Sequence, residues 1–353
     1  MTRVGLFLPN WIGDVCMATP TIRAISEHLR AARKPGESVE VIGIMRPYVS
    51  YVLEGTDWFH ETWFCEKKPH HPEHRASHLL RRMRAKPLDA LVLMPNSLRT
   101  AALSYFGGAR RRIGYASDGR GWMLTDVVPE AAEPLPLVYR LLKLVRPLGF
   151  TATDPRTELR TTAVDEERAD LVWRNLRLRP GEHVVTMNCG SAGAPSRRWP
   201  AERFGLLAQR IAGELGRDVL VLCGPGEQEL AESIRRHACH PRVVSMAEQP
   251  LDLGTAKACI RRASMMVSTD SGPKHIAVAF DRPVVTLHGP VSPLETANPT
   301  ARATPVMLNL SCIDCRRNVC PLKHHQCMQD LTVGYVFSRV VETMQREHRR
   351  IAA

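Results

Sequence analysis

The chain has 353 residues, of which 44% are hydrophobic and 24% charged, the ordinary balance of a soluble globular protein. Its length suits two domains of roughly 150–180 residues, each large enough for its own core, and no run approaches the ~18–20 apolar residues that cross a bilayer. The net charge of +12 implies an acidic partner: nucleic acid, an anionic membrane surface or a phosphorylated substrate.

The N-terminus enters a strand over residues 3–8 without the basic region and cleavage site of a secretory leader, so a cytoplasmic protein is expected. A turn over 10–13 follows, then a helix beginning near Asp14 or Thr19 whose buried stripe is Ile22, Ile25 and Leu29. Pro20 fits the start of that helix better than its interior. Residues 38–45 form a second strand. Residues 48–86 are weakly periodic, and His70, His71 and Pro72 read as loop. A strand over 90–94, a polar turn at Asn96 and Ser97, a helix over 99–106 ended by Gly107 and Gly108, and a short strand over 113–115 come next.

Residues 131–179 are rich in Pro and acidic side chains, with one helix over 164–176. The domain boundary is expected here, giving domains 1–165 and 166–335 and a C-terminal helix with a basic tail at 336–353. The second half repeats the alternation. Strands are predicted at 183–188, 218–223, Val243 with Val244, 265–268 and 284–287. Helices are predicted at 201–215, with Phe204, Leu207, Ile211 and Leu215 on one side, and at 230–237 and 275–280. Strands alternating with helices predict a parallel sheet in each half.

Open parallel sheets bind ligands outside the carboxyl ends of their strands. Asn10 to Asp14, Asn188 to Trp199, Gly224 to Glu229 and Asp270 to Gly272 all occupy such positions. Backbone amides at the helix start after Ser271 favour an anion, although Asp270 or Ser271 acting only as a helix cap accounts for the same residues. Gly190, Ser191 and Gly193 allow close backbone approach, and Arg197 and Arg198 supply fixed positive charge, a set suited to a diphosphate. Neither GxGxxG after the first strand nor GxxxxGK[ST] is present, which disfavours a nicotinamide dehydrogenase or a P-loop ATPase.

Two basic clusters, Arg81, Arg82, Arg84 and Lys86, then Arg110, Arg111 and Arg112, face either an acidic partner or only solvent. Without a zinc-finger, KH or RRM signature, nucleic acid is the weakest of the three partner classes. Six of the ten cysteines (Cys16, Cys65, Cys189, Cys223, Cys239, Cys259) are scattered and read as small apolar residues. The others, Cys312, Cys315, Cys320 and Cys327, form C-x2-C-x4-C-x6-C with His324 and His325 inside. Structural zinc, reduced packing or redox-active thiols, and an iron-sulfur cluster all remain open for them.

The segments NWIGDVCMATPTIRAI, NSLRTA, IGYASDGRGWMLTD, GSAGAPSRRWPAERF, CGPGEQE, STDSGPKHIAVAFDRPVVTLHGP and CIDCRRNVCPLKHHQCM together resemble the ADP-heptose:lipopolysaccharide heptosyltransferases of glycosyltransferase family 9, on the heptosyltransferase II side. The likeness spans nearly the whole chain, and DSGxxH and RWPxERF are its specific parts. It implies a GT-B fold of the α/β class, two Rossmann-like domains with parallel sheets facing a central cleft, the acceptor on the N-terminal domain and the ADP-sugar on the C-terminal one. The implied reaction is inverting transfer of L-glycero-D-manno-heptose from ADP-heptose to an inner-core heptose of a phosphorylated lipid A–Kdo acceptor.

Asp14 falls on the family's catalytic aspartate, the base that takes the acceptor hydroxyl proton. Arg197 stands where the family usually has a lysine near the donor phosphates. Glu227 matches an acidic residue near the ADP ribose, while Asp270, Ser271, Gly272 and His275 match the ADP-contacting motif and Ser191 lies in the adjoining loop. The resemblance implies no metal or other cofactor in catalysis. A lipid acceptor gives the basic clusters a reason to exist, peripheral contact with the anionic inner face of the cytoplasmic membrane, and no nucleic-acid partner is expected. A family 9 enzyme using another nucleotide sugar, or a nucleotide- or nucleic-acid-binding protein without turnover, is the competing expectation.

Overall fold

Strands whose every residue is buried dictate the architecture: β4, β7, β8, β10 and β11 below are apolar runs covered on both faces, the signature of parallel sheets clothed by helices. The computed structural model describes residues 2–32, 35–181, 183–190 and 194–352. Two units divide the chain, Met1–Arg160 with Ala297–Pro299, and Thr161–Thr296 with Thr300–Ala353. The sequence reading put the boundary five residues later and set the C-terminal helix apart; that helix instead belongs to the second unit.

In the first unit the elements are β1 (Thr2–Phe7), α1 (Ile12–Ala31), β2 (Val39–Met45), α2 (Pro47–Leu53), β3 (Glu61–Phe64), α3 (Ala76–Ala85), β4 (Ala90–Leu93), α4 (Leu98–Phe106), β5 (Arg111–Gly114), β6 (Asp126–Val127) and α5 (Leu137–Leu142). The strands pair in parallel in the order β3-β2-β1-β4-β5-β6. Pro20 lies inside α1 rather than at its start. The amide it lacks would have bonded the Cys16 carbonyl, and the Thr19 hydroxyl donates to that carbonyl instead at 2.8 Å. The weakly periodic 48–86 stretch holds α2, β3 and α3. Only Leu79 and Met83 of α3 are buried, so its apolar stripe is two residues wide.

The second unit contains α6 (Ala163–Asn175), β7 (Val184–Asn188), α7 (Ala201–Glu214), β8 (Asp218–Leu222), α8 (Gln228–Ala238), β9 (Val243–Ser245), α9 (Leu253–Arg262), β10 (Met265–Thr269), α10 (Gly272–Ala279), β11 (Val284–Leu287), β12 (Ala303–Val306), α11 (Gln326–Gln329) and α12 (Val333–Ala352). Its sheet runs β12-β11-β10-β7-β8-β9, again parallel throughout. Numbered from its own first strand, this is the same 3-2-1-4-5-6 order as the first unit. Helix α10 begins three residues earlier than predicted, because Pro273 is tolerated in a first turn, where its missing amide has no partner to lose.

The RWPxERF stretch is a packing motif. Trp199 is buried and stacks edge-on against Phe204 with ring centroids 4.9 Å apart, and its indole N–H donates to the Leu331 carbonyl at 2.9 Å. Arg203 donates to the same carbonyl at 3.0 Å, tying α7 to the chain just before α12. Of the six scattered cysteines, Cys16, Cys65, Cys189 and Cys259 are buried, Cys223 is half-buried, and Cys239 is exposed, contrary to an apolar packing role.

Candidate active site

In a doubly wound sheet the crevice lies where the strand order reverses. That point falls between β1 and β4 in the first unit and between β7 and β10 in the second. The loops leaving those four strands carry most of the residues singled out from sequence.

In the second unit, β7 ends in Asn188, whose side-chain amide donates to Ser271 Oγ at 2.9 Å and Ser268 Oγ at 3.3 Å, stitching the two strands at their carboxyl ends. Thr269 adds a bond to the Gly190 carbonyl at 2.7 Å. Ser271 occupies the N-cap position of α10 without capping it: its hydroxyl is spent on Asn188 and Thr269. The pure capping explanation therefore fails for Ser271, and the first-turn amides of Gly272, Lys274 and His275 keep the local positive field of a helix start.

Asp270 is buried between two cations. Lys274, one helical turn on and itself buried, donates to Oδ1 and also to Thr296 Oγ1 at 2.8 Å. Arg197, from a short turn of 3-10 helix, reaches the Asp270 carbonyl at 3.0 Å and Oδ2 at 3.4 Å. Burial acts to raise the Asp270 carboxyl, but the Lys274 charge leads a set of neighbours that hold it down at about 2. Burial likewise pushes His275 down to about 3 and His288, at the end of β11, down to about 4, and Lys274 adds to both shifts. Burial also pushes the Lys274 ammonium down, with the Asp270 charge opposing it. With the Lys274–Asp270 ion pair formed, Arg197 beside it and both imidazoles neutral, the cluster carries a net charge near +1 at the strand ends.

Glu227, at the N-cap position of α8 in the loop after β8, accepts from the Gly224 amide at 3.0 Å. Its carboxylate lies against Gly190, where an added Cβ would come within 2.3 Å of Oε1, so any side chain at Gly190 would push the Glu227 carboxylate away from this position. Burial and then the charge of Glu227 push the Cys189 thiol up to about 12. Ser191, with Gly193, lies outside the described residues.

In the first unit Asp14 is the third residue of α1, half-buried at the carboxyl edge of β1, neither sunk in the core nor at the N-cap, which is Trp11. Across the switch point, the loop after β4 is held by Arg120, a fully buried guanidinium that sequence reasoning did not single out. It donates to the carbonyls of Tyr115 (2.8 Å) and Pro95 (2.5 Å) and to Asn96 Oδ1 (3.1 Å). Lys274 was also missed, although its spacing of four from Asp270 is the helical ion-pair signal. Asn188 opened the polar loop read from the sequence, whereas His288 left no signal, being the polar end of an apolar strand.

The basic clusters lie mostly at the surface, and four of their members pair with acidic side chains of the same unit. Arg82 and Lys86 share Glu61, Arg110 pairs with Asp89 at 2.8 Å, and Arg111 with Asp126 at 2.7 Å. Cys312, Cys315, Cys320 and Cys327 line one cavity of about 30 Å³ with His324 and His325, and none is in a disulfide. Among the described residues, no three His, Cys, Asp or Glu side chains are set to hold a metal ion as they stand.

Residues 76–326 match the model of glycosyltransferase family 9 (heptosyltransferase). The chain belongs to glycosyltransferase family 9. It is 26% identical to lipopolysaccharide heptosyltransferase 2 of Escherichia coli K12 over 96% of this chain and 97% of that one. The Salmonella typhimurium LT2 protein of the same name is 25% identical over the same shares. Among solved structures, Escherichia coli ADP-heptose LPS heptosyltransferase II superposes with a TM-score of 0.75 at 20% identity, covering 99% of this chain and 100% of that one. Escherichia coli heptosyltransferase WaaC with ADP-2-deoxy-2-fluoro heptose gives 0.72 at 17% identity, covering 97% and 99%. The fold of this family 9 glycosyltransferase is GT-B, built from its two Rossmann-like units.

Proposed function

We propose that this glycosyltransferase moves L-glycero-D-manno-heptose from ADP-heptose to an inner-core heptose of a phosphorylated lipid A–Kdo acceptor, with inversion. The observation that carries the reading is the cationic cluster of Arg197, Lys274 and the α10 start at the second unit's switch point. In the reaction an acceptor hydroxyl oxygen attacks the anomeric carbon, the bond to the β-phosphate oxygen breaks, and ADP leaves with the electron pair. Asp14 takes the hydroxyl proton. Arg197 and the α10 amides offset the charge that grows on the departing diphosphate, the task a bound metal performs in other transferases, so no metal is needed for turnover. Glu227 faces the ribose hydroxyls as an acceptor, with Asp270, Ser271, Gly272 and His275 around the phosphates.

The acceptor is a lipid, so the protein works on the cytoplasmic side, peripherally at an anionic membrane surface. Support comes from an exposed aromatic cluster on the first unit. Tyr105 packs edge-on against Phe106 and Trp122 with centroids 5.4 and 5.9 Å away, Phe106 and Trp122 are 56% and 68% exposed, and the Arg112 guanidinium lies over the Tyr105 ring.

The test is transfer from ADP-heptose to heptose-bearing core acceptor by the wild type and by Asp14→Ala. Loss of turnover by about 10³-fold or more with ADP affinity retained is expected for a removed general base that also orients its substrate. Undiminished turnover in Asp14→Ala would end the assignment. A thermal shift with GDP or UDP but not ADP would favour another nucleotide sugar, and binding without transfer to any acceptor would favour a non-catalytic protein.

A further inference from the structure

Between β12 and α11 the chain runs for residues 307–325 without regular secondary structure. This loop has little apolar interior of its own: Val319 and Leu322 are 69% and 58% exposed, while its three cysteines, with Cys327 on α11, line one cavity with Ile313. Four of the eight described non-glycine residues with left-handed backbone, Asp314, Arg316, Lys323 and His325, fall within twelve positions of it. Such conformations persist only where the surroundings over-determine them. Neither a regular element nor apolar burial does so here.

We propose that Cys312, Cys315, Cys320 and Cys327 form a tetrathiolate site for a thiophilic divalent cation of the zinc class, and that this centre braces the turn carrying Arg197. The spacing is short enough for one ion to reach all four sulfurs, and a tetrahedral ion with four thiolates closes its coordination shell, as structural rather than catalytic sites do. The cavity of about 30 Å³ leaves room for the ion. No three side chains are yet set on a common point, so binding draws the sulfurs inward by rotation about χ1, the soft coordinate of a cysteine. Each thiol releases its proton to solvent as it ligates, and the ion supplies the charge that four adjacent thiolates otherwise lack.

The link to Arg197 is direct. Ser196, its neighbour, donates its amide to the Asn318 carbonyl at 3.1 Å and its hydroxyl to the Arg317 carbonyl at 2.6 Å, and its own carbonyl meets His325 Nε2 at 2.6 Å. All three partners belong to the cysteine loop.

The experiment is elemental analysis of the full chain purified without added metal, followed by replacement with cobalt(II). About one equivalent of zinc is expected, and cobalt(II) should give the thiolate charge-transfer and ligand-field bands of a tetrahedral sulfur site. Both signals should vanish in Cys312→Ser/Cys315→Ser and survive in Cys239→Ser, whose thiol lies just past the end of α8. Cys327→His should keep the ion and shift the cobalt spectrum, which guards against a serine variant that fails to fold. Zinc below roughly a tenth of an equivalent with no cobalt uptake, or a cobalt spectrum that survives the double substitution, overturns the site. Recovery of the four cysteines as disulfides does so as well. Stripping the metal should weaken ADP binding severalfold, reversed by zinc. That arm alone rests on the donor-site reading; metal content and spectrum do not, so the two failures are distinguishable.

Discussion

Lys274 holds the balance of charge around Asp270. With it, a buried carboxylate answers to two cations and the cluster stays attractive to a diphosphate; without it, Asp270 shares only the partly exposed Arg197 and the net charge falls to about zero. Lys274→Met should therefore cost about 3 kcal/mol of stability, the low end for breaking a buried pair, and raise the KM for the nucleotide sugar by about tenfold or more. Lys274→Arg should recover charge but not the fit to Thr296. Urea denaturation and donor titration check both, and a donor KM unchanged in Lys274→Met would remove the residue from the site. The two histidines make a separate prediction. Both have folded pKa values far below the ordinary 6.5, about 3 for His275 and about 4 for His288. Below pH 6.5 the unfolded chain takes up protons that the folded one refuses, so stability is full above pH 6.5 and declines as pH falls, through about 4 for His288 and about 3 for His275. Each histidine contributes about 1.4 kcal/mol per pH unit within its window. Denaturation midpoints between pH 7 and 4.5 should show this slope, and His275→Gln should flatten it; an equal slope in the variant would mean other groups carry the acid sensitivity.

At the scale of elements, the strand-loop-helix units after β7 and β10 were legible because their chemistry is local. Small residues, a carboxylate and an arginine occur within a few positions of a strand end, and only the Lys274 partner of Asp270, at helical spacing in DSGPKH, was passed over. What escaped was non-local or low in contrast. β3 and β12 are four residues each, α3 buries two side chains, and the start of α1 was misjudged because Thr19 repairs the defect that Pro20 makes. The same hydroxyl accepts from the Glu158 amide at 3.1 Å, so it joins α1 to the end of the first unit. Thr19→Val should lose about 1–3 kcal/mol, the cost of leaving a buried carbonyl and a half-buried amide unmatched, with no effect on ADP affinity. Gly190→Ala should do the reverse. Its methyl would displace the Glu227 carboxylate, weakening ADP binding more than it lowers the denaturation midpoint. Calorimetric ADP titration of both variants separates the two cases.

Over the whole molecule, alternating strands and helices announced two parallel sheets, but not that both follow one order. Order is set by pairings between strands far apart in the chain, such as β10 with β7, which leave no local trace. Net charge was misleading in a related way: a charge of +12 suggested basic faces, yet several arginines of the two clusters are held by Glu61, Asp89 and Asp126 within the first unit. The surface that remains suited to a bilayer is smaller and more aromatic. Arg84 donates to the Phe106 carbonyl at 3.1 Å and Arg112 covers Tyr105, so two cations flank an exposed Phe, Tyr and Trp, the composition of a headgroup-level anchor. If this patch seats the protein on its lipid acceptor, binding must have an apolar part that salt leaves intact and an electrostatic part of about 1 kcal/mol per cation that salt removes. Phe106→Ser/Trp122→Ser should abolish cosedimentation with anionic phospholipid vesicles even at low salt while ADP binding stays unchanged. Wild-type binding lost entirely on adding salt, or a double variant that still sediments, would show that charge alone makes the contact and that these rings serve something else.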